Sequence, residues 1–203
     1  MSALPDPMRP RTYRVRRRVK ENADTVTLEL APEPGAAGES FLPGQFNMLW
    51  VHGVGEVPIS ISGDPGRPKT LVHTTRAVGA VSRRITNLAP GDPIGVRGPF
   101  GTAWPVEHAA GNDLVLVAGG IGMAPLRPAL LAALAQRERF GRICLMYGAR
   151  RPEELLFTSE LRAWRSDFDL EVEISVDRAT PEWRGNVGVG RFIGRLVDAS
   201  RDV

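Results

Sequence analysis

The sequence predicts a small antiparallel β-barrel followed by a parallel-sheet α/β domain. Three observations carry this expectation. Short β-rich runs recur between Gly/Pro turns up to about residue 104. From about residue 112, apolar strand runs alternate with helix-length segments. The change of rhythm falls in the polar stretch 106–111, so the expected domains are 10–105 and 112–203.

In the first half, strands are expected over 13–19, 25–30, 44–51, 57–62, 70–75 and 93–98. The turns between them carry Pro32-Glu33-Pro34-Gly35, Leu42-Pro43-Gly44, Asp64-Pro65-Gly66 and Pro90-Gly91-Asp92. One helix, 80–88, follows Gly79. Six short strands at this spacing suggest a small closed barrel. In the first strand Tyr13, Val15, Arg17 and Val19 alternate with Arg14, Arg16 and Arg18, the pattern of a half-buried strand with a basic outer face. Together with Arg9, Arg11 and Lys20 these residues hold much of the basic excess behind the net charge of +3. They form either a solvated face or a docking surface for an acidic electron-transfer partner. No aromatic residues interleave as a base-stacking platform, which argues against nucleic acid.

In the second half the expected order is strand 114–118, helix 125–137, strand 143–147, helix 152–164, strand 170–176 and helix 189–196, a βαβαβ unit. Strand 114–118 runs into Gly119-Gly120-Ile121-Gly122, with Pro125 at the expected first helical position. Glycines admit an anion close to the backbone, and the first helical N–H groups have no internal partner. The turn therefore either holds a pyrophosphate or is purely structural. Three parallel strands are few for such a sheet and leave an edge exposed. The domain is expected to be truncated before its last strand, or to have that edge covered by a partner.

The composition, 42% hydrophobic and 24% charged over 203 residues, is that of a soluble globular protein. No apolar run is long enough to span a bilayer and the N-terminus lacks a signal-peptide core, so a cytoplasmic protein is expected. The single cysteine, Cys144, lies in an apolar strand run and is expected to be buried. One cysteine excludes an intrachain disulfide, and an iron–sulfur cluster held by this chain's cysteines alone. The histidines His52, His73 and His108 have no metal-ligand spacing, so no metal site is expected. There is no His-Glu-x-x-His, Gly-x-Ser-x-Gly or Walker pattern.

A run of motifs then appears in a telling order: Pro43-Gly44-Gln45-Phe46, Val57-Pro58-Ile59-Ser60, Gly79-Ala80-Val81-Ser82, Gly98-Pro99-Phe100-Gly101, Gly119-Gly120-Ile121-Gly122-Met123-Ala124-Pro125 and Tyr147-Gly148-Ala149-Arg150. This order resembles the ferredoxin–NADP reductase superfamily over nearly the whole chain. Within it the chain resembles the flavin subunits of multi-subunit redox enzymes: the gamma subunit of cytoplasmic nickel–iron (sulf)hydrogenase, the B subunit of anaerobic sulfite reductase and the electron-transfer subunit of dihydroorotate dehydrogenase. The stretch 53–62 points toward the hydrogenase type. The resemblance implies an FAD-binding barrel and a domain for NAD or NADP. It implies an FAD-dependent NAD(P)H oxidoreductase subunit that exchanges electrons with an iron–sulfur or hydrogenase-type partner.

By resemblance, Ser60 is the one residue expected to act in catalysis, through a hydrogen bond near flavin N5. Pro58 and Ile59 belong to the same flavin motif. Val72, His73 and Thr74 are implied to line the isoalloxazine or adenine, although His73 reads equally as a surface strand histidine. Gly79, Ala80, Val81 and Ser82 open a helix suited to the FAD pyrophosphate. Gly119, Gly120, Gly122, Met123, Ala124 and Pro125 correspond to the nicotinamide-nucleotide loop, with Gly148, Ala149, Arg150 and Asp177 at the following strand ends. Trp183, Gly185 and Gly188 continue the loop that begins at Asp177. That loop lies by resemblance near the nicotinamide, unless Trp183 simply caps the core.

The chain also departs from the family. Val57 stands where the family has a phosphate-neutralising arginine, and Ile59 where it has a flavin-stacking tyrosine. The lost arginine removes a charge-assisted contact of about 1.5–3 kcal/mol, and Arg76 is the expected substitute. The family's Cys-Gly-Pro strand and cysteine-rich segment are not found. Arg150-Arg151 either meets a ribose 2′-phosphate or is a solvated loop, so NAD and NADP both stand. Glu153 and Glu154 read as first-turn helix acids. Two other functions fit the same residues, a docking subunit without turnover and a stand-alone flavin reductase.

Overall fold

The structure, a computed structural model, describes residues 8–36, 38–67, 69–167 and 170–188. The chain forms two compact units, residues 1–106 with 124–135 and residues 107–123 with 136–203.

The first unit holds β1 (Arg11–Lys20), β2 (Thr25–Pro32), β3 (Phe46–Val51), β4 (Gly55–Ser60), β5 (Leu71–Arg76), α1 (Ala80–Thr86) and β6 (Pro93–Phe100). All neighbouring strands are antiparallel, in the order β4-β3-β6-β1-β2-β5. The two ends of that order meet. Ile61, just past β4, bridges His73 of β5, and Ser62 N–H donates to Val72 O at 2.8 Å. The sheet is thus a barrel, filled by Tyr13, Leu28, Leu30, Leu49, Ile61, Leu71 and Val96 and plugged by Ile85 of α1.

A register shift between Val15 and Arg17 breaks the expected alternation in β1. The bulge adds a residue to one strand, so Arg17 is exposed together with Arg16 and Arg18 instead of facing inward. The basic face is not left bare. Arg14 pairs with Glu33 at 3.0 Å, and Arg16 with Glu29 at 3.7 Å. Arg18 donates from Nε and Nη2 to Thr86 O, at 3.2 and 3.0 Å, which satisfies a carbonyl at the end of α1.

The second unit contains β7 (Leu114–Gly119), β8 (Ile143–Ala149), α3 (Thr158–Asp167), β9 (Leu170–Val176) and β10 (Asn186–Val187). Helix α2 (Met123–Leu134) follows β7, and its residues from Ala124 group with the first unit. The sheet is parallel, in the order β10-β9-β8-β7. Central β8 is buried along most of its length, as an apolar run in a parallel sheet must be.

Several expectations need correction. A fourth strand, β10, pairs with the outer edge of β9, so that edge is partly covered. Helix α2 begins at Met123, because a 3-10 turn over Gly120–Gly122 already starts the winding. Pro125 therefore sits inside the first turn, where a missing N–H still costs no bond. Residues 152–164 do not form one helix. Pro152–Glu154 makes a 3-10 turn, Leu155, Leu156 and Phe157 break it with Phe157 at φ 54°, and α3 starts at Thr158. Three consecutive large apolar residues point in directions about 100° apart on a helix, and all three are buried here. The expected helix 189–196 lies outside the described residues.

His73 ties the barrel seam. Fully buried, it lies 3.1 Å through Nδ1 from Ser60 O and 3.2 Å through Nε2 from Asn47 Nδ2. The carbonyl must accept from Nδ1–H, so Nε2 accepts from the amide and the ring is neutral. Burial pushes its pKa from 6.5 down to about 4, against the opposing hydrogen bonds to Ser60 and Ile59. Between those two values the unfolded chain takes up a proton that the folded chain refuses. Stability is therefore full above pH 6.5 and falls as pH drops toward 4, by about 3 kcal/mol at the limit. Urea unfolding between pH 7 and 4.5 is expected to show this loss. A His73→Gln variant, less stable at pH 7, is expected to lack the part of the slope due to His73.

Candidate functional site

Strand β4 divides its residues between two faces. Val57 and Ile59 pack against the barrel core together with Val81 of α1. Glu56, Pro58 and Ser60 lie on the other face. Arg97 of β6 grips Glu56 with Nε at 2.9 Å and Nη2 at 2.5 Å, and that hydrogen bonding holds the Glu56 carboxyl below its ordinary range. The same guanidinium lies 5.5 Å over the ring of Phe100, itself 5.9 Å from Phe46. The Ser60 carbonyl is taken by His73, while its half-exposed hydroxyl has no partner among the described residues. Ile59 and Ser60, expected in one motif, thus face different ways.

On β5, His73 and Thr74 are buried. The Thr74 hydroxyl is bonded to those of Thr27 and Ser62, both at 2.9 Å. This corrects both expectations for His73: it is neither a surface histidine nor presented to a ligand, because the closed seam requires its ring inside. Only Val72 of the three is half-exposed. Arg76 donates through Nε to Asp24 at 2.7 Å, so the cation expected to replace the missing arginine is already paired. At the entry to α1, Ser82 Oγ accepts from Val78 N–H at 3.0 Å and Gly79 N–H at 2.9 Å, and donates to Gly79 O at 3.2 Å. The hydroxyl is therefore committed to the turn. The N–H groups of Ala80, Val81 and Ser82 have no partner among the described residues, and the space beside Gly79 is open.

The glycine turn after β7 is shaped for close approach. Gly120 takes φ 49°, a left-handed backbone that favours glycine. A Cβ at Gly119, Gly120 or Gly122 would meet nothing within 4 Å. Internal packing thus does not demand glycine at 119 or 122; open space does lie beside all three. The Gly120 carbonyl is held by Tyr147 Oη–H at 3.1 Å, and the same oxygen accepts the Leu156 N–H at 3.1 Å. One buried phenol thereby fixes the orientation of the Gly120 carbonyl and completes the break before α3. Met123 and Ala124 are buried, so only their main chain faces outward chemistry; Pro125 is half-buried.

Beyond Gly148 and Ala149 the chain leaves β8 through Arg150-Arg151, and it leaves β9 through Asp177-Arg178. These exits run side by side: Asp177 N–H donates to Ala149 O at 3.1 Å and Arg178 N–H to Arg150 O at 2.9 Å. They border a pocket of about 450 Å³ lined by Arg150, Arg151, Glu154, Asp177 and Arg178. Sequence reasoning singled out Arg150 and Asp177 but passed over Arg178 and the bridging role of Tyr147. Arg178 directly follows a strand end, which was the available signal; nothing local marks the phenol's two partners. Trp183 is half-exposed and stands outside the buried core. Its Nε1–H donates to Asn186 O at 3.0 Å and its ring packs over Gly185, holding the loop. Among the described residues no cluster of His, Cys, Asp or Glu is placed to hold a metal, Cys144 is buried, and no helix is long and apolar enough to cross a membrane.

With this geometry in view, the oxidoreductase NAD-binding domain family matches residues 116–191. The chain carries a ferredoxin–NADP-reductase-like NAD-binding domain. It is 40% identical over 151 residues to the sulfhydrogenase 1 subunit gamma of Pyrococcus furiosus, covering 73% of this chain and 52% of that one. It is 33% identical over 156 residues to a probable dihydroorotate dehydrogenase B (NAD(+)), electron transfer subunit, of Methanocella arvoryzae, covering 77% and 55%. The chain thus spans about half the length of the curated relatives it matches. Among solved structures, the Amycolatopsis cytochrome P450 reductase GcoB superimposes with a TM-score of 0.76 at 24% identity, over 92% of this chain and 57% of that one. Phthalate dioxygenase reductase does so with a TM-score of 0.72 at 24% identity, over 94% and 63%. At that identity the likeness establishes the fold, a barrel-like antiparallel sheet with a parallel-sheet domain.

Tyr147→Phe keeps the ring and removes both hydrogen bonds. It is expected to leave the buried Leu156 N–H unpaired and to cost about 1–3 kcal/mol in urea unfolding, whereas Tyr13→Phe is expected to cost far less, because the Tyr13 hydroxyl has no hydrogen-bond partner.

Proposed function

We propose that this chain is a flavin module of an FAD-dependent NAD(P)H oxidoreductase, passing electrons between a nicotinamide nucleotide and an iron–sulfur or hydrogenase-type protein partner. The observation that carries the reading is the turn Gly119–Gly122. Its glycines open on empty space at the head of a helix, with the carbonyl of Gly120 anchored away by Tyr147. That arrangement suits a dinucleotide pyrophosphate. The relatives are, by name, a hydrogenase subunit and an electron transfer subunit.

In this reading residues 10–105 bind FAD and residues 112–203 bind the nicotinamide nucleotide. Bound FAD supplies the exchange between two-electron and one-electron chemistry that no side chain here can perform. The residues present fit it in part. The unpartnered N–H groups of Ala80, Val81 and Ser82 would receive its pyrophosphate, and the unpartnered Ser60 hydroxyl would hydrogen-bond the redox-active edge. Pro58 and Val72 would border the ring, while His73 and Thr74 act from behind by holding the strand that carries Ser60. Val57 supplies no charge to the phosphates, and Arg76 is shared with Asp24. Main-chain donors rather than a cation would therefore do most of the holding of FAD. Gly148, Ala149, Arg150 and Asp177 would border the nucleotide. A lone buried cysteine suits the reducing cytoplasm.

The test is a visible spectrum of the chain reconstituted with FAD, followed by anaerobic addition of NADH or NADPH. Bound flavin that bleaches with either nucleotide is the expected result. Ser60→Ala is expected to retain flavin and slow bleaching at least about tenfold, the scale of one lost transition-state hydrogen bond. Flavin that binds but resists both nucleotides would favour a docking subunit. Flavin that elutes on gel filtration while added free flavin turns over would favour a stand-alone flavin reductase.

A further inference from the structure

We propose that Arg127 is a positioning residue: from helix α2 it fixes the stretch of chain that carries Ser60, so that a nucleotide seated at the glycine turn also steadies the Ser60 hydroxyl. The proposal rests on the nucleotide-binding reading of that turn and the flavin reading of Ser60, and deepens both. Its ground is a bond with no local mark in the sequence. The Arg127 guanidinium donates through Nη1 to the Ser62 carbonyl, 65 positions away in the chain and inside the same first unit. Ser62 is wholly buried at the barrel seam, two residues past Ser60.

The chain beside Ser60 is pinned group by group. His73 takes the Ser60 carbonyl at 3.1 Å, Ile61 N–H donates to Gln45 O at 3.0 Å, and Ser62 N–H donates to Val72 O at 2.8 Å. The Ser62 hydroxyl is bonded to that of Thr74 at 2.9 Å. The Ser62 carbonyl is the exception: no main-chain N–H among the described residues donates to it. A bare carbonyl in this buried place would lose its hydration without return. Arg127 supplies the donor, a charge-assisted one from a half-buried side chain. Helix α2 is tied to the barrel a second time. Pro128 within it lacks the N–H that closes a helical bond onto residue 124. Next to that gap, Trp104 Nε1–H donates to the Pro125 carbonyl at 3.2 Å. The opening of α2, which leads straight out of Gly122, is thus held at Pro125 and Arg127 by residues of the barrel. An anion that orders the glycine turn therefore pulls on the same tether that orders residues 60–62.

Hydrogen exchange read by mass spectrometry on the whole chain tests this, with NAD+ and NADP+ as probes. In the wild type a saturating nucleotide is expected to slow exchange over 119–124 and, at least about threefold, over 60–64. Arg127→Met keeps a side chain of similar length and removes the donor. It is expected to keep the protection at 119–124 and lose the response at 60–64, and Arg127→Lys, which keeps a charged donor, to recover most of it. With FAD bound, Arg127→Met is expected to bleach at least about fivefold more slowly at saturating NADH or NADPH, with the nucleotide KM within about twofold of wild type. If the wild type is protected at 119–124 but not at 60–64, the proposal falls while the nucleotide reading stands, and this arm decides even where the variant does not fold. If Arg127→Met keeps the response at 60–64, or bleaches as fast as the wild type, Arg127 is a structural residue and the proposal falls. If neither nucleotide protects 119–124, the proposal and the nucleotide reading fall together.

Discussion

A neutral imidazole buried in the seam of the barrel holds the first unit in its working shape. The sheet order places β4 and β5 at opposite ends, and closure depends on Ile61, Ser62, Val72 and His73 meeting there. His73 reaches across to the Ser60 carbonyl and is itself buttressed by Asn47 of β3. Asn47 in turn fits only because residue 98 is glycine at φ 136°; a Cβ there would run into Asn47 Oδ1. One chain of contacts thus links β3, β4, β5 and β6 and ends on the strand that presents the Ser60 hydroxyl. A charged ring in this place would turn Nε2 into a donor facing the Asn47 amide donor, so burial and the hydrogen-bond geometry favour the same neutral state.

The second unit solves a similar problem with a phenol. Parallel strands deliver their ends to one edge of the sheet, and loops there need main-chain groups satisfied without blocking a ligand. Tyr147 does this by accepting from Leu156 and donating to Gly120. The carbonyl of the glycine turn is taken inward and the open side is left to its N–H groups. The same parallel geometry brings Arg150 and Arg178 side by side, since consecutive strands end at the same level.

Much of this was legible in the chain. Gly/Pro punctuation and β-rich runs marked all six barrel strands, because turn residues and half-buried strands have strong local signatures. The apolar run 143–147 marked a buried parallel strand for the same reason. Gly119–Gly122 declared itself through composition. The bulge in β1, the broken helix before Thr158 and the early start of α2 were not legible. Each depends on how neighbours pack: the bulge sends Arg18 to Thr86, and Leu155, Leu156 and Phe157 are all buried together. The role of His73 was misjudged for a related reason, since alternation along one strand does not reveal which polar side chain meets the partners that let it turn inward.

The sequence by itself determined which segments are strands, where the rhythm changes from barrel to βα alternation, and where the glycine turns fall. These follow from short-range sterics and periodicity, which act within a few residues. Only the tertiary structure decided that Ser60 keeps a free hydroxyl while Ser82 does not, that Arg76 is paired with Asp24, and that three arginines gather at one strand edge. Those outcomes depend on hydrogen-bond partners tens of positions away in the chain or on the direction a side chain takes from a turn, and only packing fixes which partner arrives.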